Sequence, residues 1–214
     1  MKKWLACSLI LLASALASLG FSQMAGGRGK TPAAEALRAK REGVTGVYER
    51  LRRLMSAAGV RVEESALLAP GGSFRGLKIS WNDPARKGSK PEALRAGVLS
   101  SPVTSAVAGE VRGRGSVARQ RSLELSPEHV LLATVDAESR LRWSSLIPDP
   151  RVLRSEWPGA DGVLEGVRLY QPSAEFVVHI PEDTEATELR FYHPLPSGEG
   201  FTLQLLSTVP LRGQ

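Results

Sequence analysis

From Leu123 to the C-terminus, apolar residues recur at alternate positions in short runs, and each run stops at a cluster of turn residues. Alternation at period two sends successive side chains to opposite faces of a strand, so these runs predict half-buried strands. Residues 129–136 and 141–143, joined through Ala137-Glu138-Ser139, predict a hairpin. A short segment, 152–157, lies between Pro148-Asp149-Pro150 and Pro158-Gly159-Ala160-Asp161-Gly162, and further strands are predicted at 163–171, 174–180, 188–193 and 201–209. Six or seven short strands at this spacing predict a mainly β chain whose C-terminal domain, residues 123–214, is an immunoglobulin-like β-sandwich.

The same alternation assigns faces. Ala174, Phe176, Val178 and Ile180 point inward, with Leu189, Phe191, Phe201, Leu203 and Leu205 on the strands that follow. By the same parity Arg168, Tyr170, Arg190, Tyr192, Thr202 and Gln204 point outward. Tyrosine offers an apolar plane with a polar tip, so Arg168, Tyr170, Arg190, Tyr192 and Gln204 are the candidate ligand-binding residues.

Upstream the period changes. Val44, Val47, Tyr48, Leu51, Leu54 and Met55 recur at three- and four-residue spacing and predict a basic amphipathic helix over 33–58, opened by Pro32, weakened by Gly43 and Gly46, and ended by Gly59. Such a helix lies across a β-domain or rests on a membrane surface. Residues 59–122 read as an irregular region with short strands: Phe74, Leu77, Ile79 and Trp81 mark one, residues 98–111 hold two more broken at Ser100-Ser101-Pro102, and 82–91 is a polar loop. No internal repeat is present, which argues against a solenoid.

The N-terminus carries the layout of an export signal: Lys2 and Lys3, an apolar run from Trp4, and small residues at Ala15 and Ala17. Residues 1–17 are read as a signal peptide, with a second cut fitting near Gln23; left attached, the apolar run is instead a membrane anchor. Residues 18–32 read as a flexible linker. Too little chain precedes Cys7 for a lipoprotein signal. Cys7 is the single cysteine of the sequence, so cleavage leaves a chain without disulfides or cysteine metal sites, held by an ordinary core. The chain is thus expected to be exported, periplasmic or secreted.

The formal charge of +6 is concentrated near the N-terminus. Arg28, Lys30, Arg38, Lys40, Arg41, Arg50, Arg52 and Arg53 face only Glu35, Glu42 and Glu49, whereas beyond Ala58 basic and acidic residues nearly balance. Arg50, Arg52 and Arg53 are therefore candidates for contact with an anionic surface. Export and the absence of interleaved aromatics speak against nucleic acid.

Chemistry is sparse. Gly29-Lys30-Thr31 resembles the end of a phosphate-binding loop, but Met24 stands where that motif needs glycine. His179 and His193 fall on consecutive predicted strands, at opposite ends of an antiparallel pair, too far apart to share a zinc ion. No Gly-x-Ser-x-Gly elbow occurs, and Glu182, Asp183 and Glu185 lack the alternation of a calcium loop. The reading is a non-catalytic, cofactor-free binding or interaction module of the envelope or extracellular space, engaging a protein or glycan. Two alternatives stay open: a secreted hydrolase whose carboxylates meet on folding, and a membrane-surface protein held by its basic N-terminal segment.

Overall fold

The computed structural model describes residues 46–63, 72–95, 97–117, 124–158, 160–198 and 200–212. The signal peptide, the linker and the start of the helix read from the sequence lie outside the described residues. Helix α1 covers residues 46–57. Ten strands follow: β1 (Ser73–Asn82), β2 (Glu92–Ala93), β3 (Thr104–Arg114), β4 (His129–Val135), β5 (Leu141–Pro148), β6 (Val152–Pro158), β7 (Leu164–Tyr170), β8 (Ser173–Pro181), β9 (Glu188–Ser197) and β10 (Gly200–Pro210). All pair antiparallel, in three sheets ordered β3-β1-β8, β10-β9-β4-β5 and β2-β7-β6.

The four-stranded sheet is the middle layer, and its sequence shows it. Val130 to Val135 are buried without alternation because both faces of β4 are covered. Val130 and Leu132 point toward the β3-β1-β8 sheet and share a core with Leu77, Ile79, Trp81, Val178, Ile180, Leu189 and Phe191. Trp81 meets Phe176 and Phe191 edge to face at ring separations of 5.0 Å, the geometry in which a ring edge meets a π face. Two antiparallel sheets facing across one core make a β-sandwich. Leu131, Ala133 and Val135 point the other way and pack under α1 with Leu51, Met55 and Tyr192. Leu51 and Met55 are four apart on one helix face, and burying each stabilises by about 2 kcal/mol, which fixes α1 across the sheet, the first of the two placements its spacing allows. Gly59, with φ of 77°, ends the helix region in the left-handed conformation that favours glycine.

The sandwich begins well before Leu123. The middle region, read as irregular with short strands, supplies β1, the central strand of the three-stranded sheet, where Phe74, Leu77, Ile79 and Trp81 mark it, and β3, its edge. Glycine at 109 and 113 and the bulge opposite Lys78/Ile79 hide the full length of β3 from a periodicity reading. Phe74 instead lies over Gly113: a Cβ there would come within 2.4 Å of its ring, so the strand needs glycine at that position. A second bulge, at Leu205/Ser207 on β10, lets both Leu206 and Val209 reach the sandwich core. Leu205, expected to point inward, instead lies on the helix-side face with Tyr192 and is 48% exposed.

The third sheet is built on the β6–β7 hairpin. It is joined to the sandwich at the turn between β5 and β6, where Arg151 is fully buried. Its guanidinium forms a two-pronged pair with Asp149, donating from Nε at 3.0 Å and from Nη2 at 2.7 Å. The same Nη2 donates to the Leu99 carbonyl at 2.7 Å, and the plane stacks against Trp81 and Tyr170, 5.4 and 5.7 Å from their ring centres. Arg154 and Arg168 hold the hairpin further out by sharing Glu128.

Candidate functional site

Helix α1 turns Leu51 and Met55 down onto the sheet, and this orients the rest of the helix. Arg50, Arg53 and Leu54 then face sideways, toward the start of β10. With Glu124, Leu125, Gly200 and Phe201 they line an open cleft of about 590 Å³, within the size range of ligand-binding sites. Leu54 and Leu125 are half-buried against the core beneath the helix, so the floor is apolar and fixed. Phe201 is placed by strand parity: with Leu203, which packs into the same core, it points to the helix side of the sheet.

The electrostatics of this lining are uncompensated. Among the described residues no carboxylate pairs with Arg50 or Arg53; the one polar contact is from Arg53 Nε to the Glu49 carbonyl at 3.4 Å. Arg52, on the other side of the helix, is 3.9 Å from the Glu49 carboxylate. Of the three arginines expected to meet an anionic surface, the fold therefore brings two to the cleft and directs the third elsewhere. Two guanidiniums one helical turn apart present planar donor forks suited to a carboxylate or phosphate, and the single acid, Glu124, leaves the lining positive.

The five residues expected on one solvent face are not on one face. Tyr170 and Arg168 lie on β7 in the third sheet, whereas Tyr192 and Arg190 lie on β9 in the middle layer. Tyr192 is 2% exposed because α1 covers that side of the sheet, and Arg190 is half-buried, paired with Glu188 at 2.8 Å. Tyr170 is 0% exposed and donates from its hydroxyl to Asp83 Oδ2 at 2.7 Å. Burial, reinforced by that bond to a carboxylate, pushes its phenol up to about 12. Gln204 points between the two sheets beside its cross-strand partner His193. Only Arg168 is open to solvent, and Glu128 already holds it. Alternation within each strand holds, but the register between β9 and β10 sets Gln204 on the opposite face from Tyr192, and the layers stacked on each face cover both.

No family model, curated protein or solved structure matches the chain. What it does must therefore be argued from its own geometry. The histidines sit apart: β8 and β9 belong to different sheets, His179 packs at the outer surface against Phe74, and His193 is buried with Nε2 2.8 Å from the Pro127 carbonyl. Burial holds the His193 imidazole below its ordinary value, opposed by the Pro127 carbonyl and by Asp149. Glu182, Asp183 and Glu185 are each engaged by an arginine, Arg112 or Arg142, as solvated loop acids. Among the described residues no three His, Cys, Asp or Glu side chains converge as metal ligands would. Sequence reasoning missed the buried Asp83–Tyr170 and Asp149–Arg151 pairs. Pro148-Asp149-Pro150 reads only as a turn, and nothing local marks Arg151 as buried.

Proposed function

We propose that this protein is an exported, non-catalytic binding module that engages a protein or glycan partner of the envelope or extracellular space through the cleft between α1 and β10. The observation that carries this reading is the pair Arg50 and Arg53, without carboxylate partners among the described residues, over the half-buried Leu54, Leu125 and Phe201. A surface kept for solubility alone gains nothing from two cations set over an apolar floor, whereas a ligand with an anionic group and an apolar body meets both. Localisation in the periplasm or outside the cell rests on the export signal read in residues 1–17. An immunoglobulin-like kinship for the sandwich belongs to the same proposal. The order β10-β9-β4-β5 follows that of the sheet built on strands G, F and C in that fold, while the central place of β1 departs from it.

The test is affinity capture from envelope and culture-supernatant fractions, using the whole chain and its Arg50→Glu/Arg53→Glu variant. Both side chains are exposed, so the variant folds, as a far-ultraviolet spectrum will confirm. Proteins or glycans held by the parent and released by the variant are the expected result. Equal capture by both removes the cleft as the site.

A further inference from the structure

We propose that the ligand of this cleft is an extended peptide segment bearing one carboxylate, which adds as a strand to the free edge of β10. The inference rests on the cleft being the binding site proposed above and names what occupies it.

Strand β10 ends the four-stranded sheet, with β9 on its inner side. On the outer side the first bond it makes is at Leu206, whose carbonyl accepts from the Val103 amide at 3.2 Å, with Ser207 and Ser105 linked through their hydroxyls at 2.6 Å just beyond. From Gly200 to Leu205 the outer backbone groups have no partner among the described residues. Six residues of extended chain present roughly 20 Å of edge, enough for a short peptide strand.

From Gly200 to Leu205 this edge carries neither charge nor proline, and its bulge lies only at the Leu205/Ser207 end. Exposed strand edges ordinarily carry charges, prolines or bulges that deter pairing. Among the other edge strands, β2, β3, β5, β6 and β8 each hold at least one charged residue, for example Glu92, Glu110, Arg142, Arg154 and Glu175. β10 carries none, and its free stretch reads Gly-Phe-Thr-Leu-Gln-Leu. An edge so open, kept beside a cationic cleft, fits a strand-accepting site better than a lipid or glycan site, which needs no backbone donors and acceptors.

Side-chain chemistry then sets the preference. A strand added to β10 turns alternate side chains toward the helix, where Phe201, Leu54 and Leu125 receive an apolar group and Arg50 and Arg53 receive a carboxylate. Glu124 on the same lining disfavours a run of acids, so a single carboxylate is selected over a polyanion. That carboxylate comes from an Asp or Glu side chain or from a peptide C-terminus; the chemistry is shared, and the test separates the two.

The experiment screens the whole chain against three random short-peptide libraries: free C-terminal carboxylate, amidated with one internal Asp or Glu, and amidated without acids. The best binder is resynthesised with N-methyl groups on alternate backbone amides, and a uronic-acid glycan array and phosphatidylglycerol vesicles serve as further probes. Enrichment in the first library assigns the C-terminal source, in the second the side-chain source. Binding is expected to fall about tenfold or more in Arg50→Glu/Arg53→Glu, and as far when one alternate set of amides is methylated but not the other. Insensitivity to both methylation patterns overturns strand addition. Arginine-dependent binding of glycans or vesicles without any peptide enrichment overturns the peptide ligand and leaves the cleft as the binding site. Loss of arginine dependence for every probe overturns the cleft itself.

Discussion

Replacing Arg151 with methionine is expected to be among the most damaging single changes in this chain. Both Arg151 and Asp149 have no solvent-exposed side-chain surface, and they face each other at 2.7 Å. Methionine roughly preserves volume and the packing against Trp81 and Tyr170, so the loss isolates the charge rather than a cavity. The variant leaves the Asp149 carboxylate buried with only the Arg151 backbone amide, 2.9 Å away, and it strips the Leu99 carbonyl of its donor. Breaking a buried pair from one side costs about 3–5 kcal/mol, so a loss of about 4 kcal/mol is expected in urea unfolding followed by circular dichroism. Removing both charges, in Asp149→Leu/Arg151→Met, relieves the orphaned carboxylate and should recover about half of that loss. The β5–β6 turn still loses the bond from the Arg151 amide and the guanidinium donors to the Leu99 and Ser101 carbonyls, but no charge is left buried alone. A cost below about 1 kcal/mol for Arg151→Met, or a double variant less stable than either single one, refutes the reasoning that this pair locks the third sheet to the sandwich.

Three further outcomes follow from the same geometry. The Tyr170 phenol, at about 12, lies above its ordinary value of 10.0, so the stabilisation it lends is full below pH 10 and is lost as pH rises toward 12. Tyr170→Phe should flatten that alkaline decline in a pH series of unfolding midpoints while costing about 1–3 kcal/mol at neutral pH, because Asp83 loses the hydroxyl that donates to it. His193 behaves in the opposite sense: its value is held below 6.5, so its contribution is present above that pH and fades on acidification, and His193→Gln should weaken the dependence between neutral pH and pH 5. Met55→Ala, at a position with no exposed surface, should cost about 2–4 kcal/mol, and unfolding that is unchanged would contradict the packing of α1 on the sheet.

The strands after Leu123 were legible because each alternates or fills with apolar residues and stops at a turn; the hairpin at Asp136–Arg140 is a clear case. Asp136 accepts the backbone amides of Glu138 and Arg140, and Ser139 takes a positive φ of 56°. The sandwich itself was therefore readable, and so was the docking of α1 through Leu51 and Met55. Two things were not. Periodicity reports which side chains share a face but not what lies against it, so Tyr192 read as solvent-facing although a helix covers it. Strand β1 was marked by Phe74, Leu77, Ile79 and Trp81, but the full length of β3 and its place in the sandwich were obscured by Gly109 and Gly113, which add nothing to a hydrophobic pattern. The candidate cleft was half legible. Arg50 and Arg53 stood out by charge, but their meeting with Phe201 and Leu125 depends on contacts across the chain that no local pattern encodes.

The cleft is tested most directly by amide chemical-shift mapping of the isotope-labelled whole chain, titrated with the tightest-binding peptide or captured partner. The expected shifts centre on Arg50, Arg53, Leu54, Leu125, Gly200 and Phe201 and leave the outer sheet face around Phe74, Val111 and His179 unmoved. Shifts confined to that outer face, with the cleft silent, would contradict the claim that this protein binds through its paired arginines.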